Sequence, residues 1–317
     1  MTWRPNSSPA VATVRAAMLR RARQFFAERK VLEVETPALA AQATMDPNIA
    51  SIRATVSDQP VYLGTSPEYH MKRLLAAGYP DIYQVARVFR DRESGRFHLP
   101  EFTMAEWYRL GFGLEEMIRE SVDFVADMLA DRVDAKLAVS VRYTTAFEDA
   151  LGIDPLSASI GSIAAKLDTD DNLVDVLGND RDAWLDLAMA TGVAPTFDEK
   201  RLTVVHHYPA SQAALARRCP DNPAFADRFE IYFGRLELAN GFVELTDAGE
   251  QKERFQNDQI IRREKNLAMY DIDENFIAAL DYGIPPCAGV AIGLDRLLMI
   301  ACNTDDIHDV TAFTPGR

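Results

Sequence analysis

The chain has 317 residues, 48% of them hydrophobic and 26% charged, with a formal net charge of −14. This composition supports one large domain or two modest ones around a sizeable core. The acidity argues against a tRNA-sized footprint, because holding a long phosphate backbone relies on a basic surface that releases counterions, and it suits a basic partner or a small cationic substrate. Cys219, Cys287 and Cys302 form no close ligand pair and cannot all pair with one another, as expected in a reducing compartment. The first ten residues lack the apolar core of a signal peptide, and no stretch approaches bilayer-spanning length. A cytoplasmic protein is expected.

In chain order, Ser8-Pro9 reads as an N-cap followed by proline at the first helical position. Val14, Met18, Ala22, Phe25 and Phe26 then recur on one helical face, while Arg15, Arg20, Arg21, Arg23 and Arg29 read mainly as a solvated face. VLEVETPAL runs extended into Pro37, which suits a sheet edge or an interface. Ser66-Pro67-Glu68 opens a short helix that Gly78 stops. IYQVARVFR and EFTMAEWYR are strand candidates joined by a polar loop, and a helix is expected over roughly 114–132. Residues 145–200 read as a helical, acidic insertion or packing layer. Strands return with LTVVHHYP, RFEIYF and LELANGFVEL, and Asp247 with Glu250 resembles a capping box opening a further helix. AGVAIGLDRLLMIA gives a last strand and helix. Mixed element order with hairpin signals predicts an α+β fold, an antiparallel sheet flanked by helices.

Three constellations carry chemistry. Period-2 alternation places Phe102, Met104, Glu106 and Tyr108 on one strand face. A carboxylate beside a phenol can receive an ammonium group, and an aromatic two pleats away can stack on a flat base. Arg87 and Arg90 fall on opposite faces of the neighbouring strand, so one of them can present its fork to carboxylate or phosphate oxygens. In the second constellation, a two-residue turn at Gly234-Arg235 sets Tyr232 opposite Glu237 and Glu230 opposite Ala239. Glu230 and Glu237 then become diagonal neighbours able to reach one divalent cation, with Asn240 and Glu244 just beyond. The third is GVAIGLDR, whose Gly289 and Gly293 allow close approach to the backbone and whose Arg296 opens a helix. Each has a plain alternative, in surface ion pairs, an exposed acidic strand face, or a glycine-bearing strand with no ligand.

In order along the chain, ERKVLEVETPAL, VFRDRESGRFHLPEF and GVAIGLDRL resemble motifs 1, 2 and 3 of class II aminoacyl-tRNA synthetases. TSPEYHMKRLL, PEFTMAEWYR and ELANGFVELTDA are similar to the lysyl-tRNA synthetase branch. They are most similar to its paralogues that modify a lysine of translation elongation factor P, the elongation factor P (R)-β-lysine ligases. The resemblance runs from about residue 10 to residue 301. It implies a single catalytic domain over residues 1–317 that activates β-lysine or lysine with ATP and magnesium and transfers it to a lysine of elongation factor P. A symmetric dimer across the segment around Pro37 is implied too.

The resemblance assigns roles residue by residue. Arg90 would hold the α-phosphate and the substrate carboxylate, Phe102 would stack on adenine, and His98 would lie near the phosphates. Arg296 would hold the γ-phosphate end, and Glu230 and Glu237 the magnesium, with Asn240 close by. Glu68, beside Ser66 and Pro67, would bind the amino group near the reacting carboxylate, and Tyr108, Glu106 and Glu244 the distal ammonium. The implied ATP site extends to Asp91, Arg92, Leu99, Leu238 and Gly293, and the implied substrate site to Ala291. Three departures stand out: Arg92 follows Asp91 where the family has glutamate, Leu99 replaces an asparagine, and Ala291 replaces a glycine of lysyl-tRNA synthetases. The first two border the adenine pocket, and the third reshapes the amino-acid pocket. A shortened lysyl-tRNA synthetase and a non-catalytic paralogue are the competing readings. The motif match begins too early to leave room for an anticodon-binding barrel, so stable tRNA binding is not expected. Arg90, Glu230, Glu237 and Arg296 are all present, against a dead paralogue.

Overall fold

The Ser8 side chain accepts from the Val11 amide, and Pro9 opens the first helix, α1 (Pro9–Glu28). The computed structural model describes residues 3–129, 132–169 and 171–314. After α1 come β1 (Leu32–Glu33), β2 (Leu39–Ala40), β3 (Arg53–Val56), β4 (Gln59–Leu63), α2 (Glu68–Ala76), β5 (Ile82–Phe89), β6 (Glu101–Leu110) and α3 (Leu114–Met128). β7 (Val139–Arg142) leads into α4 (Tyr143–Leu151), α5 (Ile160–Leu167), α6 (Asp171–Leu177) and α7 (Arg181–Ala188). The chain continues with β8 (Leu202–Pro209), β9 (Phe225–Phe233), β10 (Leu236–Val243), α8 (Ala248–Glu264), α9 (Glu274–Gly283), β11 (Cys287–Gly293) and α10 (Leu294–Cys302). The helix expected over 114–132 includes residues 130–131, which lie outside the described residues.

Eight strands form one sheet in the order β1-β5-β6-β11-β10-β9-β8-β7. Its interior pairings are antiparallel, and only the outermost pairs, β1 with β5 and β7 with β8, are parallel. The expected α+β architecture is therefore present. β2, β4 and β3 make a separate small sheet, and α9 packs on α2; neither was anticipated from the sequence.

Alternation along each strand divides the sheet into two faces. Trp107 and Ala105 of β6, Val290 and Ile292 of β11, and Phe229 and Ile231 of β9 point into a core with Phe26 of α1, Phe124 of α3 and Leu297 of α10. The opposite face carries the polar side chains. It is flanked by one cluster that includes Met71, Leu75, Phe255 and Phe276, and by another that joins α4–α7 to Tyr208 and Tyr232.

Two local expectations change. Met18, Ala22, Phe25 and Phe26 are buried, but Val14 is exposed, so the apolar stripe of α1 is narrower than its spacing suggests. Arg15 does not belong to a solvated face; its guanidinium bonds the buried carboxylate of Asp295, which also accepts the Thr103 amide at 2.6 Å. The hairpin turns at Gly234-Arg235 as expected, with Gly234 at φ +52° and Tyr232 opposite Glu237. A β-bulge between Glu237 and Ala239 then shifts the register, so that Glu230 faces Asn240 and not Ala239.

Candidate active site

One row of paired residues crosses the polar face of the sheet: Gln84, Glu106, Ala291, Asn240 and Glu230. The next row holds Tyr108, Gly289, Phe242 and Arg228. Residues paired across strands point the same way, so five strands deliver these side chains to one surface. Over it lies a cleft of about 620 Å³ whose lining includes Glu68, Arg90 and Glu244.

One end of the cleft is a buried acidic cluster. The Glu106 carboxylate accepts from the Tyr108 hydroxyl and from the Ser66 hydroxyl, each at 2.7 Å, and the Ser66 oxygen accepts the Glu68 amide at 2.9 Å. Ser66 thus orients the start of α2 and the strand carboxylate together. Pro67 directly precedes the helix. Glu244, 3% exposed, follows β10 and sits beside Lys72 of α2, whose Nζ lies 2.5 Å from Glu244 Oε2 and 2.6 Å from Glu68 Oε1. Burial, reinforced by repulsion from Glu68, pushes the Glu106 carboxyl up to about 7, against the pull of Tyr108 and Ser66. Burial also raises Glu244, and Lys72 pulls it back. Gly289 is required here. A β-carbon on it would fall 2.4 Å from Glu244 Oε1 and 2.4 Å from the Tyr108 ring.

The other end is cationic. Arg90, just past β5, sits 3.4 Å from Glu93 Oε1, donates to the Thr65 carbonyl at 3.4 Å, and holds its guanidinium 5.2 Å from the centre of the Phe102 ring. Arg296, near the start of α10, donates to the Glu237 carbonyl at 2.7 Å and lies 2.7 Å from His98 Nε2. Burial and the Arg296 charge lower the His98 pKa, so the ring is neutral and accepts from the guanidinium. Gly293 is the N-cap of α10 and pairs with Met104. Asp91 and Arg92 lie in the exposed loop after Arg90, with Arg92 at φ +64° and its amide held by Asp91 Oδ1 at 2.9 Å. The Leu99 and Leu238 side chains are buried in the core, which leaves their backbone groups to face the cleft.

Glu230 and Glu237 both line the cleft, but they differ. Glu230 accepts from Arg228 and Tyr208, each at 2.6 Å, and from the Tyr232 hydroxyl. Arg228 also bonds Asn240 Oδ1 at 3.1 Å, tying the metal-candidate strand pair together. Glu237 is half exposed and is 3.7 Å from Arg296. This donor set fits magnesium, which takes one or two protein carboxylates and keeps water and phosphate oxygens in its other positions. Glu237 offers accessible oxygens, whereas both Glu230 oxygens already accept from Arg228, Tyr208 and Tyr232, so Glu237 is the open ligand of the pair.

Sequence reasoning missed Lys72 and Arg228. Lys72 is four residues after Glu68, a spacing that ordinarily marks a surface ion pair on a helix. Arg228 had a signal in its period-2 spacing from Glu230. Away from the cleft, His207, Cys219 and Asp227 come close enough to suggest a metal site. Arg217 already holds Asp227 at 2.7 Å and the Cys219 thiol donates to it at 2.9 Å, so the carboxylate is satisfied without one.

The profile of the family tRNA synthetases class II (D, K and N) matches residues 1–316. A protein of Photorhabdus laumondii named elongation factor P–(R)-β-lysine ligase is 46% identical, over 98% of this chain and 97% of its own length. Proteins of the same name from Salmonella paratyphi B and Yersinia pestis are each 43% identical, over 100% and 98% of this chain and 98% and 97% of their own. Among the described residues no helix is long and apolar enough to cross a membrane. The motif order, the sheet and this full-length similarity agree, and the chain belongs to the class II tRNA synthetase family, alongside the elongation factor P–(R)-β-lysine ligases.

Proposed function

We propose that the protein is an ATP-dependent ligase that activates (R)-β-lysine, or lysine, as an aminoacyl adenylate and transfers it to a lysine side chain of elongation factor P. The observation that carries this reading is the polarity of the cleft. Glu68, Glu106 and Glu244 gather around Ser66 and Lys72, Arg90 lines the same cleft, and Arg296 stands beside it on the Glu237 carbonyl. A diamino acid laid between them would direct its ammonium groups to the glutamates and its carboxylate toward Arg90.

In the first step a carboxylate oxygen of the amino acid attacks the α-phosphorus of ATP in line, and the bond to the bridging oxygen breaks to release pyrophosphate. Arg90 would stabilise charge on the α-phosphate and orient the carboxylate, and Arg296 with His98 would receive the terminal phosphates. Phe102 would stack on adenine, with Asp91, Arg92, the Leu99 and Leu238 backbones and Gly293 bordering the nucleotide. Magnesium, held by Glu237 with Glu230 and Asn240 beside it, would offset phosphate charge when bound. In the second step the acceptor amine, having lost a proton, attacks the acyl carbon; the amide forms and AMP leaves. No protein nucleophile is required. Tyr108, Glu106 and Glu244 would receive the distal ammonium, and the Ala291 methyl, between Glu106 and Asn240 in the sheet, shapes the floor of the pocket for the β-amino isomer.

The net charge of −14 supports a protein acceptor over tRNA. The edge position of β1, with Leu32 and Leu39 exposed, supports a homodimer across this segment. A cytoplasmic location follows from the translation-factor partner. The test is pyrophosphate exchange with ATP and either β-lysine or lysine, followed by offering the labelled adenylate to elongation factor P and to lysine tRNA. Exchange with label on elongation factor P is expected. Label on tRNA alone would favour a shortened synthetase, and absent exchange a non-catalytic paralogue.

A further inference from the structure

Lys72 is out of place for a lysine. It is 1% exposed, on the inner face of α2 between Met71 and Leu75, with the rings of Phe242 and Phe276 centred 5.4 and 5.9 Å from its ammonium. Its Nζ bridges Glu68 Oε1 and Glu244 Oε2 at 2.6 and 2.5 Å. These two glutamates belong to different elements and, on the reading above, to the two opposite ammonium subsites. Burial alone would favour a neutral amine; attraction to the two carboxylates outweighs it and keeps the ammonium charged.

We propose that Lys72 is an internal counter-ion that ties Glu68 to Glu244 and sets the charge of the pocket so that it selects substrates with two amino groups. Once bound ammonium groups draw the raised Glu106 and Glu244 carboxyls into the ionised form, Glu68, Glu106 and Glu244 carry three negative charges and Lys72 one positive charge. The remainder matches the two ammonium groups of a diamino acid. Lys72 takes one oxygen from each glutamate it touches. Neither Glu244 oxygen has a hydrogen bond in the buried wall of the cleft: Oε2 has the Lys72 ammonium against it as an ion pair, and Oε1 faces Gly289 and the Tyr108 ring. A buried acceptor in that state calls for a donor from the ligand. Lys72 is therefore a positioning and specificity-determining residue, acting through the glutamates and not on the reacting atoms.

The inference rests on the proposed diamino-acid substrate, and the experiment separates the two. Lys72→Met, Lys72→Gln and Lys72→Arg are compared with the wild type in pyrophosphate exchange, using the preferred diamino acid and its analogue lacking the distal amine, from pH 6 to 9. Glu244 is faced by Lys72 and Glu68 of α2, Glu106 and Tyr108 of β6, and Cys287 of β11, and burial raises the phenol and the thiol. Lys72 is the cation in that set. Removing it should raise KM for the diamino acid about tenfold or more, with kcat changed far less, and move the acid limb of kcat/KM up by about one pH unit. The preference for diamine over monoamine should narrow. Lys72→Arg should keep the limb near its wild-type position.

A wild type without diamine-dependent exchange would sink the functional reading and leave nothing for Lys72 to select. An active wild type with KM, limb and preference unchanged in the folded Met or Gln variant would overturn the role of Lys72 alone. If neither neutral variant folds, a displaced acid limb in the Arg variant would overturn it as well.

Discussion

At one end of the cleft, Glu106 is gripped by two hydroxyls at 2.7 Å and Glu244 is sealed against Lys72. At the other end, Arg90 leans on Glu93 and a carbonyl at 3.4 Å, and Arg296 rests on a carbonyl and a neutral imidazole. The acidic end, proposed for the ammonium groups, sits on strands and a helix start packed by the sheet and two hydrophobic clusters. The end proposed for the phosphates takes its cations from a strand exit and a helix start beside an exposed loop. The difference divides the labour: the buried end spends folding stability on specificity, and the open end keeps its arginines on partners that phosphate oxygens can replace. Preorganisation of this kind matters most where a small substrate offers few atoms to recognise.

The largest expected effect tests the sealed end. Gly289→Ala should reduce kcat/KM in exchange by at least about a hundredfold, roughly 3 kcal/mol of lost transition-state binding, because its methyl would strike Glu244 and Tyr108. Near-normal exchange would mean that the two side chains have room the structure does not show. Glu244→Gln keeps the shape and removes the charge, and should cost about a hundredfold or less, mostly through KM for the amino acid; an unchanged KM would remove Glu244 from the ammonium site. At the open end, Arg296→Ala should raise KM for ATP by about tenfold while leaving amino-acid KM near its wild-type value. An equal rise in both would erase the division between the ends.

Acid titration sharpens the same contrast. The Glu106 carboxyl is raised to about 7 and Asp258 to about 7, both chiefly by burial, whereas in an unfolded chain the glutamate titrates near 4.5 and the aspartate near 3.8. Between those values the folded protein binds more protons than the unfolded one, so stability falls as pH rises from about 4 through about 7. Melting temperature of the ligand-free protein should drop by about a few degrees across that window, and saturating diamino acid should reduce the drop. A melting temperature that instead climbs with pH would show these carboxylates ionised and satisfied in the empty cleft. The smallest effect belongs to Glu93→Gln, which removes a half-exposed partner of Arg90 and should change exchange by about twofold or less.

Much of this was legible in the sequence because strand periodicity alone puts Phe102, Met104, Glu106 and Tyr108 on one face, and because a two-residue turn at Gly234-Arg235 dictates the start of the hairpin. What could not be read depends on distant partners. Lys72 next to Glu68 looks like a surface pair until Phe276 of α9 and Phe242 of β10 bury it, some two hundred and one hundred and seventy positions downstream in round numbers. Arg15 looks solvated until α10 brings Asp295 to it. The small sheet was missed because β2 has two residues and β3 four, too short for alternation to register. The segment 145–200 looked uninformative, yet Asp180, Asp182 and Asp186 at α7 line the cleft and Lys265, just past α8, closes on Asp180 at 2.5 Å.

The bulge between Glu237 and Ala239 has a further consequence for how this hairpin can evolve. Leu238 and Ala239 both enter the core, so Glu237 and Asn240, three positions apart, both reach the cleft. A regular strand would send them to opposite sides. Side-chain substitutions can accumulate along such a strand one at a time. Removal or gain of a single residue between 237 and 240 cannot, since it would swap a cleft carboxylate for an oily side chain in one step. Lineages that keep this chemistry should therefore vary freely in loop length elsewhere and hold the spacing across these four positions constant.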